Sequence, residues 1–224
     1  MVRVERDGSG YHYDFSVAER YIDLCMKYGI DKEIEVFGLM NIWLDPEYGY
    51  TGIAEDYPDG IRIRYYDRND GAFKYIRNGE EIKAYIKSLE KFFIEKDLID
   101  RVRIVADEPG DIERYKRSLE IIREVAPGFK FKSAINHSEF IEEFKDVISD
   151  FVPVLPGVCE KWDILKELKS KVAGRILWYV CCWPPYPNTF ISSPLVESRL
   201  IGILTAFMGL DGFLRWNYTV WPED

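Results

Sequence analysis

Short apolar runs and helical periods take turns along this chain from Glu33 to Trp216, and that order limits what it can fold into. The runs are Glu33–Leu39, Val102–Ala106, Phe129–Ile135, Phe151–Leu155, Arg175–Cys181 and Gly212–Trp216. Ile176–Cys181 is apolar on both faces, which suits a parallel strand covered by helices on each side. Helices are expected at about Glu80–Glu95, Asp111–Val125, about Ser138–Ser149, about Glu160–Val172, and from Ser193-Pro194 to Gly209. An earlier helix opens at Ser16-Val17-Ala18-Glu19, a capping box, and places Val17, Tyr21, Leu24, Cys25 and Tyr28 on one face before Gly29. Strands interleaved with helices imply an α/β fold of (β/α)8 TIM-barrel type. About six strands are present, the chain opens on a helix, and no helix follows the last strand. The expectation is therefore an incomplete barrel, lacking roughly two opening strands and the closing helix. A complete open doubly wound sheet is the alternative, but no Gly-rich phosphate loop follows any of these strands.

Residues 1–224 read as a single catalytic β/α-barrel segment, interrupted by an excursion at about 40–78. Within the excursion, Ile61–Tyr66 and Ala72–Ile76 flank Arg68-Asn69-Asp70-Gly71, the pattern of a β-hairpin. A length of 224 residues with 47% hydrophobic content allows a large core. The charge balance of 30 basic against 39 acidic residues gives −9, and no Lys/Arg block offsets it. Nucleic acid is thus not an expected partner. No apolar run approaches the roughly 20 residues of a membrane span, and MVRVERDGSG lacks the character of a secretory signal. Cys25, Cys159, Cys181 and Cys182 do not suggest a disulfide framework, so a reducing, cytoplasmic setting is the expectation. His12 and His137 stand in no cluster with metal-ligand spacing, so no metal and no cofactor are expected. As strand neighbours, Cys181 and Cys182 should face opposite ways and pack, with no histidine nearby in sequence to activate a thiol.

In β/α barrels the chemistry lies just past the carboxyl ends of the strands. Those positions hold Asn41 and Trp43; Asp107, Glu108 and Pro109; Asn136 and His137; Trp183, Tyr186 and Asn188; and Trp216, Asn217 and Tyr218. Carboxylates, amides and large aromatics suit a sugar, with acids for chemistry, amides for hydroxyls and rings for the apolar face. The same aromatics could equally be core packing. Asp107-Glu108 has two readings as well. The pair could begin a helix, with Asp107 capping Asp111–Val125. Alternatively it is an acid/base centre, in which close carboxyls repel and one keeps its proton to higher pH. A retaining glycosidase with an enzyme nucleophile places its carboxyls about 5 Å apart, usually on different strands. Consecutive acids suit substrate assistance instead, where a 2-acetamido group attacks its own anomeric carbon.

Three stretches carry a resemblance: Val105-Ala106-Asp107-Glu108-Pro109, the run from Trp178 to Pro194 (WYVCCWPPYPNTFISSP), and that from Gly209 to Pro222 (GLDGFLRWNYTVWP). With Tyr13-Asp14-Phe15-Ser16, they resemble glycoside hydrolase family 123, the β-N-acetylgalactosaminidases, over essentially the whole chain. The resemblance implies a barrel with the acid pair at the end of its fourth strand, and exo-release of β-linked N-acetylgalactosamine without a metal. It implies Glu108 as acid/base and Asp107 as the acetamido helper. Asn41, Trp43, Asn136, Trp183, Tyr186, Trp216 and Asn217 are the expected substrate contacts. The expected partner is a glycan or glycoconjugate ending in N-acetylhexosamine, and an uncovered last strand edge leaves room for an oligomer. The rival readings are a non-catalytic carbohydrate-binding segment and a glycosidase for sugars without an acetamido group.

Overall fold

The computed structural model describes residues 2–40, 54–172 and 174–215. The chain divides into two compact units, one of residues 1–105 and 111–130, the other of residues 106–110 and 131–224.

The first unit opens on a hairpin, β1 (Arg3–Asp7) and β2 (Gly10–Asp14), rather than on a helix. Asp7 makes the turn by accepting from the Ser9 backbone N–H (2.8 Å) and hydroxyl (2.6 Å), while Gly10 takes φ +126°, open to glycine. Helix α1 (Ser16–Lys27) follows, then β3 (Ile34–Val36), shorter than the expected run. The expected hairpin is present as β4 (Arg64–Asp67) and β5 (Ala72–Tyr75). Strand β4 also runs parallel to β1, giving the order β2-β1-β4-β5. Ile61, Ile63 and Tyr65 are buried while Arg62 and Arg64 are exposed, so burial alternates with a period of two along this segment.

Helix α2 (Gly79–Glu95) begins where the Asn78 side chain accepts from the Glu81 N–H at 3.1 Å. It buries Ile82, Ile86, Leu89 and Phe93 on one face, at helical spacing. Strand β6 (Val102–Asp107) pairs in parallel with β3, Ile34 opposite Val102 and Val36 opposite Ile104. Helix α3 (Ile112–Val125) is capped by Asp111, whose Oδ1 accepts from the Arg114 N–H at 2.9 Å. It packs against α2 through a face that buries Tyr115, Leu119 and Ile122.

The second unit is a run of parallel strands. Strand β7 (Lys130–Ile135) pairs with β8 (Asp150–Pro153), and β8 meets the next strand through Phe151–Ile176 and Val154–Tyr179 bridges. Strand β9 (Leu177–Tyr179) pairs with β10 (Gly212–Leu214). Helices separate successive strands: α4 (Glu139–Glu143), α5 (Leu155–Glu160), α6 (Trp162–Lys169) and α7 (Leu195–Phe207). Parallel neighbours require crossovers of this kind.

Two expected helices differ. The one at 138–149 stops at Glu143 because the chain turns to give the Ser149 N–H to the Phe131 carbonyl at 3.0 Å. The one at 160–172 is two helices: the chain is already helical at Leu155, with Pro156 in the first turn, and breaks at Lys161 (φ −108°, ψ 27°). All six expected strands occur, as β3, β6, β7, β8, β9 and β10, in a mixed α/β chain with parallel pairing. Among the described residues no pairing closes a barrel.

Candidate active site

Ala106–Gly110, the tip of β6, belongs to the second unit together with everything that surrounds it below. Asp107 is the last residue of β6, and Glu108 follows with φ +45°, a left-handed conformation rare outside glycine. Its backbone N–H donates to the Ala134 carbonyl of β7 at 3.0 Å, which holds this bend. Backbone held this way at the end of a strand is a common feature of functional sites. Asp111 takes the cap of α3, so Asp107 and Glu108 are not spent as helix-start acids.

Both oxygens of Glu108 have donors. Oε1 accepts from the hydroxyl of Tyr179, at the end of β9, and Oε2 accepts from the Asn136 amide, just past β7, at 3.3 Å. Asp107 is half-buried, and its carboxyl holds its proton to higher pH than usual. Burial is the main cause and the charge of Glu108 the second. Mutual repulsion, the cause expected from the sequence, is thus present but subordinate to desolvation.

Tyr179 was not singled out by sequence reasoning because it sits within an apolar strand. Its ring joins Ala134, Val152, Val154 and Leu177 in a buried cluster, against which Cys181 and Leu214 also pack. The available signal was its position: Leu177, Tyr179 and Cys181 alternate onto one face, and only tyrosine among them carries a strong polar end. Burial first, then the hydrogen bond to Glu108, pushes the phenol's pKa up.

Past β9 the chain enters the Pro-rich stretch that carries Trp183 and Tyr186, and both rings are exposed, at 60% and 72%. Trp178, by contrast, is fully buried, its Nε1–H on the Thr205 hydroxyl at 2.8 Å. The aromatics therefore divide between core and surface. Asn188 is what organises the stretch. Fully buried, it donates to the carbonyls of Cys181 (2.9 Å) and Pro184 (3.0 Å), and accepts from the Thr189 N–H (2.8 Å). Its own N–H donates to Glu197 Oε2 at 2.8 Å, and Arg215 reaches its side-chain oxygen at 3.4 Å and the Val180 carbonyl at 3.2 Å.

Cys181 and Cys182 depart from expectation. The strand ends at Tyr179, so both cysteines lie in bends beyond it, with their sulfurs 3.9 Å apart and Cys182 exposed. They are not packed on opposite faces of a strand, because the Cys181 N–H already turns toward the Trp183 carbonyl at 3.4 Å. Burial, followed by the hydrogen bond with Cys182, pushes the Cys181 thiol up.

Of the expected site residues, Asp107, Glu108 and Asn136 come together, and Trp183 and Tyr186 stand on the exposed loop after β9. Asn41, Trp43, Trp216 and Asn217 lie outside the described residues. Among the described residues no group of three or more His, Cys, Asp or Glu side chains could hold a metal ion, and no helix is long and apolar enough to cross a membrane.

Compared with known families, the chain matches the glycoside hydrolase 123 catalytic domain over residues 1–224. No curated protein matches it.

Proposed function

Because the chain belongs to the glycoside hydrolase 123 catalytic-domain family, and so to the glycosidases with carbohydrate substrates, we propose that it removes β-linked N-acetylhexosamine, N-acetylgalactosamine preferred, by substrate-assisted catalysis. The observation that carries this reading is the tip of β6, where two consecutive carboxyls, one half-buried and one bonded through both oxygens, lie beside an exposed amide. The parallel strands with intervening helices fit a fold of (β/α)8-barrel type.

In the proposed reaction Glu108 protonates the leaving glycosidic oxygen while the sugar's acetamido oxygen attacks the anomeric carbon. Asp107 accepts the acetamido N–H and faces the positive charge that develops on the oxazolinium ring. Its partial burial strengthens that interaction, and the developing cation stabilises the carboxylate that burial penalises. Glu108, now a carboxylate, takes a proton from water as that water opens the ring, and the configuration is retained. Asn136, Trp183 and Tyr186 are the proposed sugar contacts within the described residues, with Asn41, Trp43, Trp216 and Asn217 beyond them.

Assay of the purified chain on an aryl β-N-acetylgalactosaminide, an aryl β-N-acetylglucosaminide and an aryl β-galactoside tests this. Turnover of an acetamido sugar is expected, with inhibition by its thiazoline analogue, and Glu108→Gln should lower kcat by about 10²–10⁴-fold. Binding without turnover would favour a non-catalytic carbohydrate-binding segment. Full activity in Glu108→Gln would end the assignment of the acid.

A further inference from the structure

The two donors to Glu108 are unlike, and the difference bears on which of its oxygens moves a proton. Oε1 is held by a phenol within the apolar cluster of Ala134, Val152, Val154 and Leu177. Oε2 is met by an exposed amide at 3.3 Å. Displacing the first would leave the hydroxyl of a buried tyrosine without its acceptor, which is unfavourable. A long hydrogen bond from an exposed side chain is readily exchanged for one to water or a ligand oxygen.

We propose that Tyr179 is a positioning residue that anchors Glu108 through Oε1, leaving Oε2, on the Asn136 side, as the oxygen that exchanges protons with the substrate. The inference rests on Glu108 being the acid/base. The proton on Oε2 passes to the glycosidic oxygen as the bond to the anomeric carbon breaks and its electron pair stays on that oxygen. The acetamido oxygen forms the new bond to the anomeric carbon. When water opens the oxazolinium, its proton returns to Oε2 and its oxygen goes to the anomeric carbon. Tyr179 keeps its own proton throughout, as a hydroxyl whose pKa burial pushes up would.

The test is Tyr179→Phe in the full chain, assayed on two aryl β-N-acetylhexosaminides. A 2,4-dinitrophenolate leaves with little protonation, whereas a 4-methoxyphenolate needs the acid. Misplacing Glu108 should lower kcat on the methoxyphenyl substrate by about 10–100-fold and on the dinitrophenyl substrate by less than about 3-fold, with KM alike. Equal losses on both substrates overturn the proposal, because a structural role alone gives that pattern. Glu108→Gln on the same pair separates this inference from the reading beneath it. If that variant shows the leaving-group dependence and Tyr179→Phe does not, only the anchor falls; if neither shows it, the acid assignment falls too. A measurement without turnover is the Tyr179 hydroxyl proton, expected as a slowly exchanging downfield NMR signal that vanishes in Tyr179→Phe and moves upfield in Glu108→Gln, where a neutral amide oxygen replaces the carboxylate as acceptor. Its absence from the unaltered chain overturns the anchor whether or not the chain turns over substrate.

Discussion

Asn188→Ala is expected to loosen the stretch after β9 and lower stability by an amount the structure sets. The change removes two donors from the Cys181 and Pro184 carbonyls and the acceptor shared by the Thr189 N–H and the Arg215 guanidinium. An unpaired buried group costs about 1–3 kcal/mol. Cys181 and Pro184 are only half-buried, so water recovers part of this, and the total falls at about 2–4 kcal/mol. In a chain of this length that corresponds to a melting temperature lower by about 5–15 °C. Asn188→Asp sharpens the test. It matches asparagine in size and keeps the acceptor for Thr189, but sets a carboxylate against two carbonyls, near the Glu197 carboxylate that holds the Asn188 N–H. It should therefore still destabilise the chain, although it keeps an acceptor for Thr189 and for the Arg215 guanidinium. Urea unfolding followed by tryptophan fluorescence gives both values. An alanine variant within about 0.5 kcal/mol of the parent, or an aspartate variant as stable as the parent, would refute the donor network as the source of the order.

Asp107→Asn should raise stability near pH 7 and not near pH 4. The folded chain binds the Asp107 proton more tightly than the unfolded one, because its pKa is raised above the ordinary 3.8. That contribution is present below the ordinary value and lost as pH rises through the folded one. Asparagine carries no charge to desolvate, so its advantage appears only at the higher pH; equal urea midpoint shifts at both pH values would contradict this. Gly174→Ala should be among the most damaging changes, since a Cβ there would lie 2.2 Å from the Ser149 carbonyl oxygen. Backbone must move to relieve it, at about 3 kcal/mol or more, and a soluble variant with an unchanged midpoint would count against the close approach.

Much of the fold could be read because burial writes itself into periodicity. Apolar strands such as Val102–Ala106 and amphipathic α2 have one stable setting each, a covered strand and a helix with a single apolar face. The hairpin of β1 and β2 was harder to see for the same reason. Among Arg3–Asp7 only Val4 is buried, so the alternation that marks a strand is almost absent, although Asp7-Gly8-Ser9-Gly10 is good turn chemistry.

The places of Asp107, Glu108 and Asn136 at strand ends could be read because strand ends can be counted along a chain. Amino-acid order was thus enough for the succession of strands and helices, the position of the carboxyl pair at a strand tip and the family to which the chain belongs. Tertiary structure alone decided what those carboxyls meet. Tyr179 lies 71 positions from Glu108 and reaches it because parallel strands bring their ends together; the burial that raises the Asp107 pKa, and the left-handed Glu108 backbone held by Ala134, arise only there too. Local pattern records which face of an element is covered, whereas a hydrogen bond between distant residues, or the removal of a carboxyl from water, exists only once separate segments have packed.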